Sequence, residues 1–441
     1  MVDEPQEAGS LREVPASEIL AKIKEGKPVE YDHVKIFGDL DASKLALSEK
    51  TGKFLVSVPI KIAESRFEGF VAFDNIIFEQ LVSFEKILFA KDVFFRDNQF
   101  NSAVYFNDCE FKISSDFRKS KYNVSVSFKG SKFNESADFH ESMFKMLAYF
   151  DDCRFNKDAY FWSSDFNEEA YFRACIFIGE VDFFGCNFCE GSYFVESQFN
   201  RSVDFANSEF RDEADFSKSR FSHSVDFIDS HFNSAAFFGR TQFDGDVDFS
   251  KSQFDRSAVF YESQFNRIAY FEECRFTGDT LTFKYSKFKN HGSQEDACRR
   301  AKNVLAKAGN REEEGYHFYR EMEAKRKQKP WYIQYPEFFF VQLVFGYGVH
   351  PFRLWAFWFG FVGIFAIIYW LGHGIDARAS QLINNATIID YIWFSIATAV
   401  TPGYAGYKPI TEFKLVAGLE AIFGTFMWAA FIATFARKYM R

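Results

Sequence analysis

Near the C-terminal end of this 441-residue chain, Thr398-Ala399-Val400-Thr401-Pro402-Gly403-Tyr404-Ala405-Gly406 follows a short apolar stretch and lies between two longer ones. Proline and glycine at its centre do not continue a helix. If the flanking stretches cross a bilayer, this segment dips back as irregular backbone, which is tolerated at depth only where it lines a water-filled path. The chemistry on offer is then backbone dipoles facing a solvated path, not a bond-breaking reaction. Glu420 is a second candidate. It is the one ionisable residue inside the apolar run Leu415–Ala436, and such a group within a span is a functional candidate by default.

Several elements must position these residues. Leu354–Leu371 is an uncharged run of 18 residues and Leu415–Ala436 a run of 22, each long enough to span a bilayer. Arg353 precedes the first, and Arg437, Lys438 and Arg441 follow the second. Two spans place both basic ends on the cytoplasmic side, as the positive-inside rule requires. Ile388–Tyr404 is too short to cross, and a third span would turn Arg437-Lys438 outward. It reads instead as a short re-entrant helix, with Asp390 near its N-terminal end matching the helix dipole. Six of the seven Trp lie at or after Trp331, as expected where apolar runs end at membrane interfaces.

Over about residues 350–441 the chain resembles the two-transmembrane potassium-channel family. The matching pieces are Trp393-Phe394-Ser395-Ile396-Ala397-Thr398 in the pore helix, the filter-like Thr401-Pro402-Gly403-Tyr404-Ala405, and Ala436-Arg437-Lys438 closing the inner helix. The resemblance implies a selectivity filter whose backbone carbonyls replace the water shell of a permeant monovalent cation, K+. It also implies a homotetramer, because one two-span chain cannot enclose a pore, and it implies no cofactor or metal site. Three departures matter. Pro402 stands where Val is usual and donates no N–H. Ala405 replaces the second filter Gly, at a cost of about 1–2 kcal/mol per chain if that site is left-handed. Gly406 stands where Asp commonly follows. Potassium-preferring conduction, broader cation conduction and a non-conducting module all remain open on these residues.

On the inner helix, Gly418 and Gly424 read either as bending points or as sites of close helix packing. Glu420 reads either as a hydrogen-bond partner of the pore helix or filter backbone, or as a direct influence on permeating ions. Phe431 and Phe435 near the cytoplasmic end suit an apolar constriction that gates by dewetting. Gly346-Tyr347-Gly348 also looks like a filter, but it precedes the first span and reads as a turn after an interfacial helix, Glu337–Phe345. No Arg ladder precedes the first span, so voltage sensing of the usual kind is not expected.

The N-terminal two thirds follow a different rule. Phe recurs every eleven residues in two interleaved series, Phe67 to Phe276 and Phe73 to Phe271, with Tyr122 the only substitution; the register slips by one at Phe283 and Phe288. Two residues before most of these sits a small side chain: Ala137, Ser142, Ala148, Cys153, Ala159, Ser164, Ala170, Cys175, and likewise Cys109, Cys186 and Cys274. These cysteines read as small buried residues, not as disulfides or metal ligands. An eleven-residue period can signal a right-handed coiled coil. On a helix, however, the two series would diverge, and the Ser, Asn, Asp and Gly spacers favour turns.

Segments such as Ser136-Ala137-Asp138-Phe139 and Ser202-Val203-Asp204-Phe205 resemble the Phe-rich variant of the pentapeptide-repeat family, over roughly residues 63–289. The resemblance implies a right-handed quadrilateral β-helix with Phe and the small residue inside. Coils of 22 residues would stack about ten deep, over roughly 48 Å. No paired carboxylates, Gly-rich phosphate loop or Ser/His/Asp arrangement stands out from the repeat, so no enzyme chemistry is expected. Some pentapeptide-repeat proteins mimic DNA and bind topoisomerases, a role that the attached membrane segment fits badly.

The expected architecture is multidomain: residues 1–62 as an N-terminal cap and irregular first coil, 63–289 the pentapeptide-repeat β-helix, 290–330 a helical connector and 331–441 an α-helical two-transmembrane pore domain with a re-entrant pore helix. Ser17–Glu25 predicts a capping helix ended at Gly26. Ser293–Ala308 and Arg311–Lys329 predict two connector helices, with Ser293 and Asp296 resembling a capping box. The basic turn at Lys325, Arg326, Lys327 and Lys329 is either a solvated face or a contact with anionic lipid. The N-terminal residues hold no apolar core of signal-peptide length, which predicts a multi-pass cell-membrane protein with a cytoplasmic solenoid and C-terminus. The net charge of -9 argues against nucleic acid as a partner. Membrane lipid, three further copies of the chain and an unidentified cytoplasmic protein bound by the β-helix are the partners expected.

Overall fold

The computed structural model describes residues 11–45, 49, 50, 52–376, 386–400 and 406–439, in two compact units, 1–317 and 318–441. The first unit is a parallel β-solenoid of about 12 turns, with four sides made of 13, 12, 12 and 11 strands. Coil follows coil at the offset that the Phe spacing requires: Leu88 pairs with Glu110 and Phe89 with Phe111. Alternate residues of a strand face the same way, so Ala137 and Phe139 both turn inward and both are fully buried. Two large side chains would not fit there, which accounts for the small residue.

Rings stack along the axis. Phe133 and Phe155 lie 4.7 Å apart at 2°, and Phe139 and Phe161 5.0 Å apart at 4°, close to the inter-strand spacing of about 4.7–4.9 Å. Columns from different sides meet edge to face, as Phe150 and Phe161 do at 5.3 Å and 88°. Each such pair adds about 0.5–1.5 kcal/mol beyond the area that it buries.

On two sides the small residue must also carry a donor. Cys153 Sγ donates to the Phe128 carbonyl (3.0 Å), Ser164 Oγ to that of Phe139 (2.9 Å) and Cys175 Sγ to that of Phe150 (2.9 Å). Burial pushes the Cys109, Cys153, Cys175 and Cys186 thiols up, and that of Cys274 up to about 12. Such thiols are inert, and none of the seven cysteines forms a disulfide.

Tyr122 stacks between Phe100 and Phe144 at 5.0 Å from each. Its buried hydroxyl has no partner among the described residues. Tyr122→Phe is therefore expected to stabilise the solenoid by about 1–3 kcal/mol, the cost of an unsatisfied buried hydroxyl. A higher denaturant midpoint with an unchanged slope would show it.

The ladders reach further toward the N-terminus than the Phe count. Val29–Asp32, Val34–Phe37 and Leu40–Asp41 are already coil sides, but Val29 pairs with Ile60, an offset of 31 residues. Strand Arg12–Pro15 adds to the Val34–Phe37 edge. Helix α1, Ala16–Lys24, buries Ile19, Leu20 and Ile23 and ends before Gly26, whose φ is +69°. The late slip is also present, since Ala258 pairs with Leu281.

Helices α2, His291–Lys307, and α3, Arg311–Lys327, follow. The capping box expected at Ser293 and Asp296 does not form. Asn290 caps α2 by accepting from Ser293 N at 2.9 Å. Ser293 is buried and accepts from Ala269 N at 3.0 Å, satisfying a ladder N–H that has no further coil. The first turns of α3 do the same work: Phe283 N donates to His317 Nε2 and Tyr285 N to the Tyr316 hydroxyl, both at 2.9 Å. The open end of the ladders is covered in this way.

In the second unit, the four basic residues of the connector all have protein partners. Lys325 pairs with Glu321, Lys327 with Glu323 and Lys329 with Glu337, while Arg326 donates to Gln342 Oε1. Helix α4, Trp331–Glu337, continues as a π-helical stretch, Phe338–Val344, so the helical segment begins six residues before the expected Glu337. Trp331, Tyr332, Tyr335, Phe339 and Phe340 are exposed along it. Gly346-Tyr347-Gly348 is a turn with positive φ at all three residues. Then come α5, Pro351–Leu371, α6, Ile388–Val400, and α7, Lys414–Tyr439. Two helices are long and apolar enough to cross a membrane, Phe352–Leu371 and Thr411–Ala436, and α6 is a shorter apolar helix.

Candidate functional site

Three helices converge on Glu420. Val362 and Tyr369 lie seven residues apart on α5 and so share a face; both are buried. Tyr369 donates its hydroxyl to Glu420 Oε2 at 2.7 Å. Ser395, on α6, places its hydroxyl 2.9 Å from the Val362 carbonyl and against Glu420 Oε1. Glu420 is fully buried. A carboxylate in apolar surroundings costs several kcal/mol unless hydrogen-bonded, and here both of its oxygens are bonded. One side chain of α7 thus ties α6 to α5.

The rest of α6 is fixed by packing. Phe394 is buried and meets Tyr369 edge on, at 5.0 Å and 83°. Asp390, at its N-terminal end, accepts from Thr387 N at 2.7 Å and from the Tyr407 hydroxyl at 2.7 Å. Tyr407 lies beyond the segment that follows α6, so this bond ties the chain after that segment to the start of α6. A two-strand pairing of Ile375–Asp376 with Lys408–Pro409 reinforces the return. At the other end of α6, a Cβ on Gly424 would fall 2.1 Å from the Ala399 carbonyl oxygen, so α7 touches α6 there backbone to backbone. Gly418, by contrast, faces open space. Thr398 is buried, and its hydroxyl has no partner among the described residues.

Thr401, Pro402, Gly403, Tyr404 and Ala405 lie outside the described residues. Of the other candidates, Ser395 and Glu420 are brought into direct contact, and Phe394 packs behind them. Phe431 leans on Trp355 of α5 at 5.2 Å and touches Phe435 at 5.9 Å; Phe435 is exposed. Sequence reasoning missed Tyr369, Tyr407 and the Val362 carbonyl. The only available signal was that Tyr369 puts a polar tip inside an apolar run next to one that contains a lone carboxylate. Among the described residues no three His, Cys, Asp or Glu side chains converge as a metal site would need.

Residues 123–165, 139–187, 183–231 and 216–264 match the family model described as pentapeptide repeats (9 copies). Residues 356–441, which hold most of α5 and all of α6 and α7, match the model described as ion channel. The chain is a pentapeptide-repeat solenoid fused to a two-transmembrane ion-channel domain. No curated protein and no solved structure matches it. In this channel domain the two apolar helices are the spans, the chain is a membrane protein, and Glu420 joins both spans to the short helix between them.

Proposed function

We propose that four copies of this chain form a potassium-preferring cation channel whose pentapeptide-repeat solenoid is a cytoplasmic regulatory or scaffold domain. The observation that carries this reading is the anchoring of α6. It is too short to cross, it is held to α5 and α7 through Ser395 and Glu420, and it delivers the chain directly to Thr401–Ala405. In this reading four such segments surround one axis, their carbonyls replace the hydration shell of K+, and Phe435, the more exposed of the two rings, narrows the inner mouth. The positive-inside rule sets both termini in the cytoplasm, and lipid surrounds the exposed faces of the spans. The solenoid carries no enzymatic role or cofactor in this proposal. Its stacked outer column Tyr149, Tyr171 and Tyr193, with rings 5.1 and 5.2 Å apart, is a rigid surface suited to a cytoplasmic protein.

Pro402 and Ala405 favour a second reading, in which the filter discriminates poorly among cations or no longer conducts and the chain is a membrane-anchored binding scaffold. Purified protein in liposomes, given potassium and then sodium gradients, separates the two. The channel reading expects potassium flux above sodium flux and its loss in Gly403→Pro. Flux with neither ion, or a Gly403→Pro variant that conducts like the parent, would sink it.

A further inference from the structure

One ladder position of the solenoid changes its acceptor where the coils end. Phe238 N donates to the Val259 carbonyl at 2.8 Å and Phe260 N to that of Thr282 at 2.9 Å, each one coil on. At Phe283 the next coil is missing, and His317 Nε2 takes the bond at 2.9 Å. A carbonyl accepts at every pH, whereas an imidazole nitrogen accepts only while it carries no proton. His317 is fully buried, and its Nδ1 lies 2.9 Å from the Glu313 carbonyl, one helical turn back. A backbone N–H can only donate and a carbonyl can only accept. The hydrogen therefore sits on Nδ1, and the docked ring is neutral. Beside it the Tyr316 hydroxyl accepts from Tyr285 N.

We propose that His317 makes the closure of the solenoid an acid-sensitive latch: a second proton on the ring releases α3 from the last coil. That proton would set Nε2–H against the Phe283 N–H, two donors facing each other in a buried site, one of them charged. The docked form thus excludes a proton that the released form takes up, so acid favours release. Between about pH 7.5 and pH 5.5, with an ordinary histidine pKa of about 6.5, the ratio of released to docked rises about ten-fold. Charged groups stand on each element packed here. On α3, Glu313 and Glu321 lie one turn to either side of His317, and Glu321 pairs with Lys325. In the last coil, Lys284 Nζ lies 5.7 Å from the Tyr285 ring. On α2, Asp296 pairs with Arg299 and Arg300. Release reaches beyond the cap because α3 is one helix from Arg311 to Lys327, and its last turn holds Gln342 through Arg326. The latch rests on this junction and not on conduction.

The test uses the full chain in detergent. Amide hydrogen exchange at Phe283 and Tyr285 is followed by mass spectrometry at the two pH values and corrected for the intrinsic effect of pH on exchange. Opening at both amides is expected to rise about ten-fold in acid, while Phe172, in the middle of the solenoid, keeps its protection. In His317→Gln a side-chain carbonyl accepts without titrating, so the acid step disappears. Unchanged opening in the parent would overturn the proposal, and so would an equal step in His317→Gln, which would assign the titration to another group. If His317→Gln does not dock at either pH, the parent decides. Exchange of the His317 Cε1 hydrogen reports protonation of the ring, and a ring that takes up its proton while Phe283 stays protected also overturns the latch. Ion flux enters none of these readouts, so failure of the conduction reading leaves the test intact.

Discussion

Gly424→Ala is expected to cut ion flux through the reconstituted protein at least ten-fold, while Gly418→Ala leaves it near the parent value. The two glycines sit on one helix and look alike in sequence, but their surroundings differ. A methyl group at Gly424 would need space 2.1 Å from the Ala399 carbonyl oxygen, an atom of the α6 backbone that cannot turn aside. Relief comes only from moving α7 away from α6. Overpacking of this kind costs about 1–3 kcal/mol per chain, and in the proposed tetramer it is met four times. It falls on the last turn of α6, one residue before the chain leaves the helix toward Thr401. At Gly418 a methyl group meets nothing within 4 Å, and Ala is the better helix former by up to about 1 kcal/mol. Liposome flux and detergent thermal stability, measured on both variants, check the contrast. Parental flux in Gly424→Ala would mean that this contact does not hold α6 in place.

The second large effect concerns Glu420. In Glu420→Leu the Tyr369 hydroxyl loses its acceptor inside the spans, while Ser395 keeps the Val362 carbonyl but loses its tie to α7. The orphaned hydroxyl costs about 1–3 kcal/mol, so the variant is expected to lose most of its flux and part of its thermal stability. Glu420→Gln keeps one acceptor oxygen and should lie between parent and Leu. Adding Tyr369→Phe to Glu420→Leu removes one orphan and should recover stability, because the two side chains touch and their effects do not add. Strict additivity in that double-mutant cycle would show that the hydroxyl and carboxylate are not coupled. If Glu420 acted on ions directly and not through α6, Gln would match Leu in flux while keeping parental stability.

The solenoid was readable because its rule is local and repeated. A Phe that stacks on the next coil must recur at the coil length, so Phe67 to Phe276 declare the period without any long-range information. The first coil was legible only as an irregular one, because Val29 and Ile36 fill its interior, Val29 pairs with Ile60 at an offset of 31, and no ring marks the step. Ser142 and Cys153 were legible as small and buried. That they must also donate was not, because the acceptor is a backbone carbonyl 25 residues earlier in the chain. Ser293 misled for a related reason: its spacing to Asp296 imitates a capping box, but a ladder end nearby claims the hydroxyl. In the pore module, apolar length alone gave the spans. The bonds of Tyr369 to Glu420 and of Tyr407 to Asp390 join residues 51 and 17 positions apart, and no local pattern foretells such pairs.

Each solenoid coil consists of two nearly identical halves. An eleven-residue step carries a Phe from one side to the opposite one and sets Ser or Cys upon Ser or Cys, and Ala or Val upon Ala or Val. Gene slippage can therefore insert or delete half a coil without creating a new kind of contact. Each such event rotates everything downstream by half a revolution and shifts it by about 2.4 Å along the axis. Among descendants of this chain the length of the rod can drift freely, whereas the direction in which its far end presents a surface alternates between two settings.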